Sequence, residues 1–373
     1  MQSKVLVVNA DHAPMESVAV PGPHQIYRNA QVSVKTRISQ RLQPNEIRVE
    51  MLYAGVCGTD THLLTNHSET GYISCSAPCQ IPPRGRVMGH EGVGRVIQVG
   101  PHIHHVKPGD YVTLESIVVC HSCKPCKAGK FNQCINAKLL GLEKDGVFSG
   151  IVDIPGMIAH DITALIKSEE DLQALACIEP ASVAYVACRN ANMMPGDVVL
   201  IFGAGPIGIL SAMISKAAFG ASQVHIVEPV PFRRQFARKW ADYVYSQAAF
   251  FESDPLQIDI VLEASGALEN INCALPKIKP NGSIVLLARS GGAFSIDHVD
   301  HMITNEISIS GSRGHLGGAF SRILALYEHG KLSPGSIVTN IIQGLDQLCE
   351  LFYEKERILN ENCKVLVKIK DYI

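Results

Sequence analysis

The chain has 373 residues, more than a typical single domain, and its 46% hydrophobic content against 18% charged residues is enough for more than one core. A formal net charge of -2 removes any electrostatic reason to expect nucleic acid or an acidic membrane surface as a partner. No apolar run reaches the ~18 residues that a membrane-spanning helix requires.

The opening MQSKVLVVNADHAP is apolar but broken by Asn9, Asp11 and Pro14, without a small-residue cleavage site, so it reads as a first strand and not a secretory leader. With twelve cysteines in such a chain, reduced thiols, metal ligation and a cytoplasmic setting are expected rather than a disulfide framework. Short β-like runs follow, IRVEMLYAG, GVGRVIQVG and GDYVTLESIVV, separated by Gly and Pro in the manner of a largely antiparallel domain. Near residue 180 the texture changes. The strands VVLIFGAG, SQVHIVEP, IDIVLEASG and GSIVLLARS now alternate with the helical stretches IGILSAMISKAAFG and PFRRQFARKWADYV, the βαβ signature of a doubly wound parallel sheet. The expected fold is therefore α/β, with residues 1–180 as a β-rich domain, 181–328 as the doubly wound domain, and 329–373 returning to the first domain through a last strand in KVLVKI.

Three constellations carry chemistry. Cys120, Cys123, Cys126 and Cys134, spaced C-x2-C-x2-C-x7-C with Pro125 and Gly129 to fold the loop, suit a tetrahedral zinc with no open position, hence a structural one. The rival readings are an iron–sulfur cluster, which uses the same four thiolates, and four unliganded cysteines. Upstream, GVCGTDTH and MGHEGVG place Cys57, His90 and Glu91 as one sulfur, one imidazole and one carboxylate, a mixture suited to a zinc that keeps a position for water or substrate. Finally, GAGPIG puts Gly203, Gly205, Pro206, Ile207 and Gly208 between a strand and a helix, where a pyrophosphate can lie on the helix N-terminus. Twenty residues past Gly208, Glu228 ends the next strand and suits the ribose hydroxyls of NAD while repelling the 2′-phosphate of NADP. Arg233 and Arg234 pull the other way, since an arginine there can bind that phosphate.

Taken in order, GVCGTD, GHEGVG, the four-cysteine loop, IEPASVA and GAGPIG resemble the zinc-containing medium-chain alcohol and polyol dehydrogenases over essentially the whole chain. The resemblance implies a GroES-like catalytic domain and a Rossmann domain, NAD, two zinc ions per chain, and a homodimer or homotetramer. It implies Cys57 and His90 as catalytic-zinc ligands, completed by an acidic residue for which both Glu91 and Glu179 are present. Thr59 and His62 match the family's proton relay, and Arg233 is compatible with NAD. The GHE and EP motifs resemble the sugar, polyol and threonine branch, so a polyhydroxylated or amino secondary alcohol is the expected substrate class. A zinc-stabilised NAD-binding scaffold or redox sensor is the alternative from another class. The connection of residues 66–87, with Cys75 and Cys79, is open to two readings, a lid or specificity loop at the substrate cleft or a decorated surface turn. Arg313 is open to a substrate-side or a structural role, while Cys177 reads as a buried thiol and His102, His104 and His105 as solvent-facing.

Overall fold

The computed structural model describes residues 1–252 and 256–372. Two compact units are present, one of Met1–Glu179 with Val338–Ile358 and Lys364–Ile373, the other of Pro180–Ile337 with Leu359–Cys363.

The first unit is built on the strand Glu46–Gly55, whose run from Met51 to Val56 is buried without interruption. Such a run needs neighbours on both edges and cover on both faces. On one edge it pairs antiparallel with Gly92–Val99. The other edge is shared: Ile151–Pro155 pairs with its first half, from Glu46 to Glu50, and Lys364–Lys368 with its last residues, Tyr53 to Gly55. A smaller antiparallel sheet has Gln2–His12 between Tyr27–Ile38 and Arg86–Val87. Leu6, Val8, Val49, Met51, Phe148 and Val367 belong to the common core.

Residues 66–87 are more than a decorated surface turn, although positions 67–70 are exposed. Ile73, Cys75, Ala77 and Ile81 are buried in the same core as Leu6 and Val8. Asp145 then accepts from Arg37, Arg84 and Arg86 at 2.7, 2.9 and 3.0 Å, pinning the end of the segment. An insertion that buries four apolar side chains is part of the domain, because releasing it would return that surface to water.

In the second unit six parallel strands run in the order Tyr243–Tyr245, Gln223–Val227, Val198–Phe202, Ile258–Glu263, Ile278–Leu286, Ser308–Gly311. The helical stretch expected over PFRRQFARKWADYV is shorter than its pattern suggests, ending as Pro231–Ala237. The cause is Asp242, whose carboxylate accepts from Val224 N–H at 2.7 Å and from Lys216 at 2.8 Å. Those bonds draw the following residues onto the sheet, where Tyr243 pairs with His225 as an edge strand. No described helix is long and apolar enough to cross a membrane.

Candidate metal centres and cofactor cradle

Cys57 ends the buried strand run and flanks the short helix Gly58–Leu64, with its backbone N–H bonded to Asp60 Oδ2 at 2.9 Å. His90 and Glu91 arrive from the turn at Gly89, which has φ +83° and lies flat against Phe148. A Cβ at Gly89 would sit 2.7 Å from the Phe148 ring, and left-handed backbone disfavours L side chains, so glycine is required on both counts. The turn delivers the two side chains to Cys57. One donor atom each of Cys57, His90 and Glu91 lies within 4.8 Å of the others, and His90 and Glu91 are buried.

The electrostatics around this cluster call for a cation. Burial works against a charged His90, yet Cys57, Asp60 and Glu179 outweigh it and hold the imidazole well above its ordinary pKa. His90 Nδ1 and Glu91 Oε2 are buried and lack a hydrogen-bond partner. A soft thiolate, an imidazole and a carboxylate, converging with orphaned lone pairs, fit a zinc ion with three protein ligands. Glu179, in the first turn of Ile178–Asn190, is also buried, with Oε1 accepting from the Ser116 hydroxyl at 2.9 Å.

Thr59 is half-buried, its Oγ1 3.8 Å from Cys57 Sγ, and His62 is exposed three residues further on the same helix. Cys177 is fully buried, whereas His102, His104, His105 and Arg313 are exposed.

The four-cysteine loop closes as its spacing predicts. The sulfurs of Cys120, Cys123, Cys126 and Cys134 lie within 4.8 Å of one another, with Cys134 at 3.6 Å from Cys120 and no disulfide among them. The Ser122 hydroxyl, then backbone N–H groups and Asn136, lower the Cys120 thiol to about 5, while burial pushes Cys126 up to about 12. Four sulfurs with N–H donors turned towards them fit a tetrahedral dication.

In the second unit Gly203 has φ +95°, and a Cβ at Gly208 would fall 2.0 Å from the Gly203 carbonyl oxygen, so the helix Pro206–Ala217 can start only this close to the strand Val198–Phe202. Gly205 flanks the helix start, Pro206 opens it, and Pro206 and Ile207 are half-buried. Glu228 is only 3% exposed, and both of its oxygens are engaged, by Ala204 N–H at 2.7 Å and Val230 N–H at 2.8 Å. Each oxygen keeps a second lone pair for a ribose hydroxyl. The two arginines differ. Arg234 donates to the carbonyls of Glu228 and Pro229, whereas Arg233 Nη1 lies 3.7 Å from where a Gly205 Cβ would be, beside the cradle.

One residue at the first site escaped sequence reasoning. Lys364, at the start of the last strand, is 1% exposed and places Nζ 2.5 Å from Glu91 Oε1. In KVLVKI it reads as a solvent-face lysine at a strand end; only its pairing partner reveals otherwise.

Comparison with known proteins gives the family. Residues 43–164 match the family described as "Alcohol dehydrogenase GroES-like domain" and residues 206–328 that described as "Zinc-binding dehydrogenase". The chain is similar to an L-threonine 3-dehydrogenase of Pyrococcus furiosus, 34% identical over 83% of this chain and 87% of the relative. It is also similar to a probable D-xylulose reductase A of Arthroderma otae, 31% identical over 81% of this chain and 85% of the relative. In fold it matches the crystal structure of 2R,3R-butanediol dehydrogenase from Bacillus subtilis with a TM-score of 0.79, at 24% identity over 99% of this chain and 100% of that one.

Proposed function

This chain belongs to the zinc-containing medium-chain alcohol and polyol dehydrogenases, and from that premise we propose that it moves a hydride between a polyhydroxylated or amino secondary alcohol and NAD at the Cys57, His90 and Glu91 cluster. The convergence of those three donors within 4.8 Å, with His90 and Glu91 buried and His90 Nδ1 and Glu91 Oε2 short of hydrogen-bond partners, carries the proposal. A scaffold that only binds NAD has no use for such an incomplete ligand set.

Zinc at this cluster supplies Lewis-acid chemistry, and NAD the hydride acceptor. The chain's own residues do the rest. Cys57, His90 and Glu91 are the metal ligands in this reading, with Glu179 held close by Ser116 as the second acidic candidate. Thr59, beside Cys57 Sγ, would accept the alcohol proton at Oγ1 while giving up its own hydroxyl proton outward, and His62, three residues on, would receive that proton and release it to solvent. Gly203 to Gly208 would admit the pyrophosphate, Glu228 would accept from the ribose, and Arg233, near Gly205, is the basic residue compatible with NAD beside that ribose. Cys120, Cys123, Cys126 and Cys134 hold a second, structural zinc.

NADH formation with a panel of polyols, sugars and amino alcohols tests the activity. Elemental analysis of the reduced protein should find about two zinc per chain; a value near one would leave only one cluster as a metal site, and iron in place of zinc would favour a cluster at the four cysteines.

Glu228→Ser should weaken NAD and move preference towards NADP by roughly tenfold, the size of a ~1.4 kcal/mol repulsion removed. It should also lower the melting temperature, because the Ala204 and Val230 N–H groups lose their acceptor. A wild type that already prefers NADP overturns the NAD assignment.

The strand Ser308–Gly311 is an edge of the six-stranded sheet, paired only to Ile278–Leu286 and largely exposed. An unprotected edge of this kind joins copies readily. Light scattering at micromolar concentration should therefore report a dimer or tetramer, and a monomer would count against the edge as an interface.

A further inference from the structure

We propose that Lys364 is a positioning residue for the metal centre: its ammonium locks the two ligand-bearing segments together and holds the Glu91 carboxylate in place beside Cys57 and His90. The inference rests on the reading of Cys57, His90 and Glu91 as ligands.

Two contacts define the lock. Lys364 Nζ donates to the Val56 carbonyl at 2.9 Å, one residue before Cys57, and lies 2.5 Å from Glu91 Oε1, one residue after His90. A single buried cation thus ties the backbone just before one ligand to the side chain of another. It comes from a different element, the strand Lys364–Lys368, which pairs with the end of Glu46–Gly55 and so fixes where the ammonium sits.

Gly55 shows that the fold makes room for this arrangement. A Cβ there would fall 2.8 Å from Lys364 Cε, 2.9 Å from Nζ and 3.0 Å from Glu91 Cδ. The backbone of Gly55 is not left-handed, so its glycine serves space and not conformation.

Without the ammonium, Glu91 Oε1 would lose its buried donor and the carboxylate would no longer be held towards Cys57 and His90. Partners of ligating side chains usually change metal affinity by 10–100-fold when removed.

The test compares wild type with Lys364→Met, Lys364→Gln and Lys364→Arg in the full-length protein, the four-cysteine zinc serving as internal control. Readouts are zinc content, the rate of zinc loss to a chelator, and the visible spectrum after cobalt replaces the labile zinc. Lys364→Met should release the Cys57-site metal ~10–100-fold more readily and alter the cobalt bands, leaving the second metal in place. Lys364→Arg, which keeps the charge, should recover part of the loss. Should the Met variant fail to fold, Lys364→Gln answers the question, because its amide keeps a polar donor in the buried position but carries no charge. A wild type with one zinc at the four cysteines alone would refute the ligand assignment itself. A wild type with two, whose neutral Lys364 variant holds both as tightly with unchanged cobalt bands, would overturn the role of Lys364.

Discussion

Cys57→Ser should empty the first metal centre and lower turnover by about 10³-fold or more, while the four-cysteine zinc stays bound. The size follows from the several kcal/mol that Lewis-acid polarisation contributes, ~4 kcal/mol being about three powers of ten. The helix beside it should survive. Its start depends on the Cys57 backbone N–H bonded to Asp60, which the substitution keeps, and serine is a favourable residue at that position. Serine fails as a ligand because its hydroxyl stays protonated where a thiol readily gives a thiolate. Cys123→Ser should do the reverse, releasing the loop metal and lowering the thermal midpoint while leaving the surviving folded protein active. Zinc content, circular dichroism melting and NADH formation on the two variants side by side check both. Equal loss of activity with retained metal in Cys57→Ser would mean that the thiol serves something other than zinc.

Thr59→Ala should cut turnover by roughly 100-fold or more with both metals and NAD still bound, the usual scale for losing a positioned acid–base group. Thr59 is the hydroxyl next to Cys57 Sγ, 3.8 Å away, and a half-buried proton has few other exits. His62→Ala should cost less, because His62 is exposed and water or an added buffer base can replace it. Metal analysis must accompany the kinetics, since Thr59 also borders a proposed ligand. Wild-type turnover in Thr59→Ala would remove it from the proton path and turn attention to Glu179.

The sites that stood out in the sequence are those whose geometry is local. Four cysteines within fifteen residues can converge only in one loop, and the structure closes them within 4.8 Å. The glycines of GAGPIG are likewise demanded by one turn, where Gly208 must approach the Gly203 carbonyl. Glu228 was findable because strand and helix lengths in a βαβ unit set how far along the chain the next strand ends. Even Cys57 with His90 and Glu91, more than thirty residues apart, drew notice through short motifs whose side chains match a known ligand set.

What the sequence left undecided depends on which distant segments pair. Lys364 meets Val56 across 308 positions, and only the register of the last strand against Glu46–Gly55 turns an ordinary strand-end lysine into a buried cation on Glu91. The 66–87 segment is rich in turn residues and small side chains, yet Ile73, Cys75 and Ile81 find a core that its own composition does not announce. Arg233 and Arg234, adjacent in sequence, part company because one faces the cradle and the other is spent on the carbonyls of Glu228 and Pro229. Ligand types and turn chemistry are thus written in spacing, since covalent geometry fixes short loops. Burial, counter-charges and which carboxylate keeps a free lone pair follow from long-range packing, which makes a side chain's surroundings a property of the whole sheet.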